Sequence, residues 1–375
     1  MERRRKMRVS NSTGLLFAGA HGRLEDRANN FTAIRIGFAA LVLAGHAIML
    51  PMGLPINGAF PEFVDGVVQF ALDGFFILSG YMIAASLMRS HDMIHYVLAR
   101  IFRIFPGLIA AMLILWLVVG PLFTGQSLAQ YWSDADSWLF PVRIIFQLDP
   151  QASLPGVFAS HPLTDMNGPL WTIRYELLAY LAAGLLAVTG LFRNRWGILA
   201  VFAGAALLSD IETLLPYEGM GSGTLFAAAR FGGAFMTGAV MYAWRDRIPL
   251  APGWAALLIL TAVLLRDSPA SMIAGQIAMA YVTLWAGYLA IPGKTGAAIR
   301  NVEDVSYGVY ILHWPIGQMT LALIPGAGAA ILFAVMVPGA LISGWLMRVG
   351  VEKPAMALKP RRRSSTPPAH IMKPA

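Results

Sequence analysis

An arginine and a histidine stand at the two ends of the stretch RIGFAALVLAGH, inside an apolar run long enough to cross a bilayer as a helix. Arg35 and His46 are eleven residues apart. At about 100° per residue this is three turns plus about 20°, so both lie on one helical face, about 16 Å apart. A histidine placed there can accept the proton of a hydroxyl. We expect the pair to line opposite ends of a polar channel, although Arg35 alone is equally well explained by snorkelling to lipid headgroups.

The next apolar run, VVQFALDGFFILSGYMIAASLMRS, carries a carboxylate about a third of the way in. Because an ionised carboxylate is costly in lipid, Asp73 should be protonated, paired or in contact with water. Gly74 and Gly80 predict close packing against another helix. Asp73, Ser79 and Tyr81 are predicted to line the substrate site.

Two arginines occur in RIFRIFP, where the third apolar run begins. Arg100 and Arg103 are three residues apart, so they are neighbours on one helical face. Two adjacent guanidinium groups form a fork that suits phosphate. Ordinary anchoring of a helix end by basic residues is the alternative, and composition alone favours it.

A further polar stretch, NGPLWTIRYE, opens the fourth apolar run. Glu176 lies at about the depth assigned to His46, where a carboxylate could orient the imidazole and raise its basicity. A local ion pair between Arg174 and Glu176 is the alternative. Trp171 is predicted to line the substrate site, or else to be a residue of the aromatic belt at the membrane surface.

The ninth run contains Tyr307, Tyr310 and His313 at a spacing of three residues. This stripe is equally compatible with a hydrogen-bonded seam between helices and with a substrate-lining surface, to which Tyr310 and His313 are assigned. Arg230, in the sixth run, is a buried cation without an obvious partner. Together these residues predict a hydrated path inside an apolar bundle.

The elements that position these residues follow from composition. The chain has 375 residues, 57% of them hydrophobic and 13% charged, with a mean hydropathy of +0.62. One soluble core could not bury so much apolar surface. We therefore predict an all-α polytopic bundle of about ten transmembrane helices. The predicted spans are 32–50, 66–88, 105–124, 169–191, 196–211, 224–244, 252–265, 270–291, 304–325 and 327–348.

Most of the 28 basic residues fall on one side of such a bundle, which predicts that both termini are cytoplasmic. Residues 1–30 form a basic cytoplasmic segment, 31–355 the membrane domain, and 356–375 a basic, proline-rich disordered tail that contacts anionic lipid. The net charge of +8 is explained by this topology, so nucleic-acid binding is not needed. The absence of cysteine excludes disulfides, thiolate metal sites and a cysteine nucleophile. No metal site is predicted.

Taken together, these motifs resemble acyltransferase family 3, the integral-membrane O-acyltransferases that modify surface polysaccharides and other acceptors. The resemblance covers residues 31–355, in the family's order. It is carried by the Arg35 and His46 pair, GFFILSGYMIA, RIFRIFP, NGPLWTIRYE, SYGVYILHWPI and the EKP of Glu352 to Pro354.

The resemblance implies ten helices in the bacterial cytoplasmic (inner) membrane. It also implies an acyl-CoA donor, acetyl-CoA first of all, that enters from the cytoplasm as a co-substrate, with no tightly bound cofactor. His46 would be the catalytic base, Arg35 its partner in the motif, and Arg100 and Arg103 the contacts to donor phosphates. Glu176 matches the acidic residue of a Trp-Ser-Leu-x-x-Glu pattern, in which Thr172 replaces serine. No fused extracytoplasmic serine-esterase domain is expected.

The predicted function is O-acetylation of a hydroxyl on a glycan, a lipid-linked glycan or a small molecule. Direct transfer and a two-step route through an acylated His46 or Ser79 both remain open. A membrane transporter is the rival from another class, because intramembrane charges also mark transport pathways. A flippase or a structural scaffold would leave the histidine unexplained.

Overall fold

The computed structural model describes residues 15–16, 29–53, 58–147, 149, 152–214 and 222–359. Most of the predicted N-terminal segment and C-terminal tail lies outside the described residues, so those two assignments stay predictions. The described chain is almost wholly helical, which confirms the all-α class. Two short strands, Leu15–Leu16 and Pro249–Leu250, form one antiparallel pair.

The first half of the chain contains six helices, four of which carry most of the residues singled out above. In chain order the helices are α1 Phe31–Met49, α2 Ala59–Arg89, α3 Met93–Ile114, α4 Leu128–Ser133, α5 Ala135–Val142 and α6 Trp171–Val188. Helix α3 continues through a π-helical turn, Leu115–Val119, into Gly120–Phe123. A second π-helical turn, Arg143–Gln147, follows α5, and a 3₁₀ turn, Gly168–Leu170, precedes α6.

The second half adds seven helices. They are α7 Arg195–Leu214, α8 Ser222–Ala243, α9 Pro252–Leu264, α10 Ser271–Tyr288, α11 Gly293–Arg300, α12 Ser306–Leu323 and α13 Ala329–Met347. A 3₁₀ turn, Leu191–Arg193, lies between α6 and α7. Helix α13 continues through a π-helical turn, Arg348–Glu352, into Lys353–Ala357.

Within the described residues, six helices are long and apolar enough to cross a membrane, or seven if α10 and α11, bent by 118°, form one broken span. The chain is therefore an integral membrane protein, but the predicted count of ten spans is not confirmed. Helices α7 and α9 have shorter apolar stretches, Arg195–Leu207 and Pro252–Leu264. Helix α12 is not among the six, and it carries polar side chains along its whole length.

Hydrogen bonds and ion pairs near the helix ends define two ends of the bundle. Asn30, just before α1, donates to the carbonyl of Leu289, just after α10, at 2.9 Å. Arg35, near the start of α1, pairs with Asp304, just before α12, at 3.1 Å. Helices α1 and α12 therefore start at the same end, where α10 stops. We name this the inner end, after the predicted orientation, and the opposite one the outer end.

The predicted close packing of α2 by its glycines is confirmed. The backbone of Gly80 lies against the carbonyl of Phe235 in α8, and Gly238 of α8 lies against the carbonyl of Ile77 in α2. A side chain at either glycine would collide with main-chain atoms that cannot move aside. This contact brings two helices together without large side chains, as is common in lipid.

The orientation can be tested directly, because the chain contains no cysteine. His91 and Asp267 are both exposed, in connections at the inner and outer ends respectively. We expect a membrane-impermeant maleimide to label Asp267→Cys in intact cells, and to label His91→Cys only after the membrane is opened. The same labelling pattern for both variants would contradict the alternation of helix directions.

Candidate active site

A cluster of ion pairs joins four elements at the inner end. Asp304 accepts from Arg35 of α1 at 3.1 Å and from Arg103 of α3 at 3.0 Å. Arg103 also pairs with Glu352, at 3.1 Å, and Glu352 pairs with Arg348 at 3.2 Å. We call these five residues the inner ion cluster. Sequence analysis assigned Arg35 and Arg103 to different roles, whereas the structure brings both to one carboxylate.

Asp304 is the centre of this cluster. Burial raises the pKa of its carboxyl, but Arg35, Arg103 and the hydroxyl of Ser306 outweigh that effect and hold the pKa well below its usual range. The Ser306 hydroxyl donates to Asp304 at 2.6 Å. The carboxylate therefore stays charged at neutral pH. Sequence analysis missed Asp304; the available signal was its position directly before the polar α12.

Glu352 was also missed as a functional residue, although it was quoted within the EKP motif. Its side chain is only 2% exposed, and it is held between Arg103 and Arg348. Removal of either arginine would lower the stability of the fold, because it would leave the negative charge of Glu352 poorly compensated in a site that water hardly reaches.

Arg100 has different surroundings from Arg103. Its guanidinium lies over the ring of Tyr180, 5.5 Å from the ring centroid, and its Nε is buried without a hydrogen bond. Among the described residues Arg100 makes no ion pair. The predicted contact of both arginines with phosphate stays a prediction, but their surroundings differ: Arg103 is held by two carboxylates, and Arg100 makes no ion pair with the described residues.

A cavity lies directly above the inner ion cluster. Arg35 and Arg103 line it on one side, and Ser79, Glu176 and Tyr310 line it elsewhere. We call it the inner cavity. Ser79 and Tyr310 thus take the lining positions predicted for them, although their contact with a substrate stays a prediction.

Glu176 and Ser79 belong to a hydrogen-bonded group at the wall of the inner cavity. The hydroxyl of Tyr180 donates to Glu176, and the hydroxyl of Ser79 donates to the same carboxylate at 3.5 Å. Ser79 and Tyr180 are 3.2 Å apart. Tyr180 was not singled out in the sequence, but it follows Glu176 by four residues and therefore shares its helical face.

A second cavity, the outer cavity, holds His46. It has a volume of about 300 Å³, and Asp65, Gln69, Asp165 and Trp171 also line it. Leu72 and Tyr310 line both the inner and the outer cavity. The expected channel is therefore present as two cavities, with Leu72 and Tyr310 between them.

The partner of the His46 imidazole is a second histidine. His46 Nδ1 lies 2.7 Å from His313 Nε2, and the two rings are nearly coplanar, 12° apart. His313 Nδ1 lies 3.1 Å from the carbonyl oxygen of Val309. Since a carbonyl only accepts, the hydrogen of a neutral His313 is on Nδ1.

This assignment fixes the tautomer of His46 as well. With its hydrogen on Nδ1, His313 offers only the lone pair of Nε2, so His46 must donate from its own Nδ1. The remaining nitrogen of His46, Nε2, then carries a lone pair. Because His46 lines the outer cavity, its ring can accept a proton from a hydroxyl there.

Glu176 does not take the place predicted for it beside His46. Glu176 lines the inner cavity, whereas His46 lines the outer one. The role of orienting the imidazole falls instead to His313, which is fully buried and lines neither of these cavities. Spacing along a helix fixes the depth of a side chain but not which neighbour it meets. This is why the sequence placed Glu176 beside His46 and did not reveal His313 as the partner.

Two further residues that were predicted to line the substrate site instead contact other side chains of the bundle. Asp73 pairs with Arg230 at 3.0 Å, which supplies the partner that the sequence did not reveal for that arginine, and Arg230 also donates to the backbone carbonyl of Gln69 at 2.9 Å. Tyr81 is fully buried and shares a hydrogen bond of 2.8 Å with Tyr288. Neither Asp73 nor Tyr81 lines the inner or the outer cavity.

Comparisons with known proteins point to one class of enzyme. A family model described as an acyltransferase domain matches residues 29–349. The chain is 28% identical over 300 residues to an O-acetyl transferase of Shigella phage Sf6, covering 79% of this chain and 86% of the relative. It is 26% identical over 357 residues to Nodulation protein 10 of Rhizobium leguminosarum bv. viciae, covering 88% of this chain and 94% of the relative. No solved structure matches.

The family match spans well over half of the chain and includes both cavities and most of the inner ion cluster. The protein is a membrane acyltransferase that transfers a group other than an aminoacyl group, and the chain belongs to acyltransferase family 3.

Proposed function

We propose that this acyltransferase moves an acetyl group from acetyl-CoA to a hydroxyl of a carbohydrate-containing acceptor. The donor enters at the inner end, and the acceptor hydroxyl binds in the outer cavity. The observation that carries the proposal is the hydrogen bond between His46 Nδ1 and His313, because it leaves a lone pair on Nε2 of a residue that lines that cavity. The relative named O-acetyl transferase supports acetyl as the transferred group.

In this mechanism His46 acts as the general base. Its Nε2 takes the hydroxyl proton while the oxygen attacks the thioester carbonyl, so a C–O bond forms and the C–S bond then breaks. The proton leaves His46 for the coenzyme thiolate, which regenerates the neutral imidazole and gives an ester and a free thiol. His313 accepts from Nδ1 throughout and keeps the ring in its orientation.

The inner end supplies positive charge for the donor. Arg35, held by Asp304, lines the inner cavity and adds positive charge at the end where the anionic donor enters. Arg100, without an ion pair among the described residues, is the residue that we assign to a donor phosphate. Arg103, already held by two carboxylates, positions the inner ion cluster and contributes to binding through its charge.

A transporter would also place charges inside a helical bundle. The family match and the named O-acetyl transferase relative favour acyl transfer instead, and the ordered histidine pair has a direct use in that reaction. The proposed location is a bacterial cytoplasmic membrane, with the acceptor on the outer side.

The base assignment predicts unequal effects at the two histidines. His46→Ala should lower ester formation about 10²- to 10⁴-fold, the usual contribution of a general base. His313→Ala should lower it about 10- to 100-fold, because the base remains but loses its orienting partner. The measurement is transfer of labelled acetyl from acetyl-CoA into base-labile ester by isolated membranes. His91→Ala, an exposed histidine at the inner end, is the control, and full activity in His46→Ala would refute the assignment.

Substitution of Arg100 should mainly weaken donor binding, whereas substitution of Arg103 should mainly lower the stability of the fold. Arg100→Ala should raise the KM for acetyl-CoA about 10- to 100-fold, through loss of a hydrogen bond to a charged phosphate, while the KM for the acceptor is unchanged. Arg100→Lys should rescue poorly, because an ammonium cannot form the same fork.

Arg103→Ala should instead lower the amount of folded protein in the membrane, because it leaves Asp304 and Glu352 short of a cation at a cost of about 3–5 kcal/mol. Thermal unfolding of the purified variants in detergent measures this difference. Equal effects of the two substitutions on both the KM for acetyl-CoA and the melting temperature would contradict the separate roles.

A further inference from the structure

A third cavity, which we call the outer groove, opens at the outer end beside the His46 cavity. Its volume is about 1050 Å³, at the upper end of the roughly 300–1,000 Å³ typical of ligand sites. Three stretches of chain, 46–51, 161–165 and 314–322, contribute residues to both the groove and the outer cavity. A ligand in the groove would therefore lie close to the outer cavity, where the acceptor hydroxyl is proposed to bind.

The stretch 161–165, which contributes to both the outer groove and the outer cavity, is held to α12 by hydrogen bonds. Gln318 donates from its amide nitrogen to the carbonyls of Leu163 and Asp165, at 2.7 and 2.9 Å. The indole of Trp314 donates to the same Asp165 carbonyl at 2.9 Å. Gln318 is fully buried, so these bonds are shielded from water and fix the position of the 161–165 stretch.

The same amide sets the tautomer of His161, which lines the groove. Because the nitrogen of Gln318 is used by two carbonyls, its oxygen is the acceptor for His161 Nδ1, at 2.8 Å. A neutral His161 therefore carries its hydrogen on Nδ1 and a lone pair on Nε2. Since the ring is only half buried, that lone pair is available to a ligand hydroxyl.

The backbone next to His161 is held in an unusual conformation. Phe158 has φ +55°, the only positive value at a non-glycine position among the described residues. Its ring stacks on the His161 ring, with centroids 5.1 Å apart and planes 21° apart. Such a backbone costs free energy and persists where surrounding contacts impose it, commonly at ligand sites. Here it places the Phe158 ring against one face of the imidazole.

We propose that the outer groove binds the part of a polyhydroxylated acceptor adjacent to the sugar unit that is acylated, with His161 Nε2 accepting a hydrogen bond from one of its hydroxyls. Exposed Gln126 and Ser160, which also line the groove, supply further polar groups for sugar hydroxyls. This inference rests on the proposed function and names the site that selects its acceptor. It assigns His161 to substrate recognition, with no part in the bond-forming step.

The test compares two substitutions that each keep one half of the imidazole. Asparagine reaches only as far as Nδ1, so His161→Asn can retain the bond to Gln318 while removing the group that meets the ligand. Glutamine reaches as far as Nε2, so His161→Gln keeps a polar group in the groove. With oligosaccharides released from the envelope polysaccharide of the producing cell as acceptors, His161→Asn should raise the acceptor KM about three- to tenfold. His161→Gln should raise it less.

The KM for acetyl-CoA should not change in either variant. His91→Asn, the same substitution at an exposed histidine of the inner end, is the matched control. An acceptor KM in His161→Asn equal to that of the wild type would overturn the groove assignment while the proposed function stands. If the wild type forms no ester with any of the oligosaccharides, the proposed function fails, and the groove assignment fails with it.

A second measurement does not depend on the folding of the histidine variants. Because the chain has no cysteine, Ser160→Cys places a single thiol at the groove. An oligosaccharide that the wild type acylates should slow maleimide labelling of this thiol at least threefold, and leave labelling of Asp267→Cys, exposed at the same end away from the groove, unchanged. Equal labelling rates of Ser160→Cys with and without that oligosaccharide would overturn the proposal.

Discussion

A charge buried in hydrocarbon must have a partner, and this requirement organises the interior of the bundle. Asp304 is placed between Arg35 and Arg103, and Asp73 is paired with Arg230. Each pair joins side chains from elements that are distant in the chain, so each also fixes how a helix sits in the bundle. An unpaired charge at either position would cost more than the pair contributes, which makes the pairs constraints on the fold rather than sources of stability.

Two polar groups are exceptions to this pairing, and the proposed mechanism uses both of them. Arg100 lies over Tyr180 and makes no ion pair within the part of the chain that the structure describes, and His46 keeps one ring nitrogen without a hydrogen-bond partner there. The first lies at the inner end and the second at the outer end. Leu72 and Tyr310 line the cavities on both sides of the boundary between them. In the mechanism that we propose, the acyl group of the donor reaches the acceptor beside these two residues.

Helix α12 sets the protonation geometry at the outer end. Its backbone carbonyl at Val309 determines the tautomer of His313, and through it the tautomer of His46. One turn beyond Trp314, its Gln318 determines the tautomer of His161. Two of the polar residues that lower the hydropathy of α12, His313 and Gln318, thus order two imidazoles: the proposed general base His46 and the proposed acceptor-binding residue His161.

The sequence by itself determined the helical class, the membrane environment, the close packing of Gly80 and the positions of Arg35 and His46 towards opposite ends of one helix. These follow from composition and from periodicity, which are local properties of the chain. It also singled out Ser79 and Tyr310, which line the inner cavity. It could not supply the span count, because the short α7 and α9 and the polar α12 are defined by their neighbours as much as by their own hydropathy.

Only the tertiary structure decided which side chains meet. His46 is paired with His313 rather than with Glu176, and Asp304 is shared between two arginines. Arg230 has Asp73 as its carboxylate partner. Arg100 and Arg103, although neighbours on one helix, have different partners. Asp304 and His313 lie more than two hundred residues from their partners on α1 and α3. Side-chain spacing specifies the face and depth of a residue on its own helix, whereas the partner depends on how helices distant in the chain are rotated against one another, which no local pattern encodes.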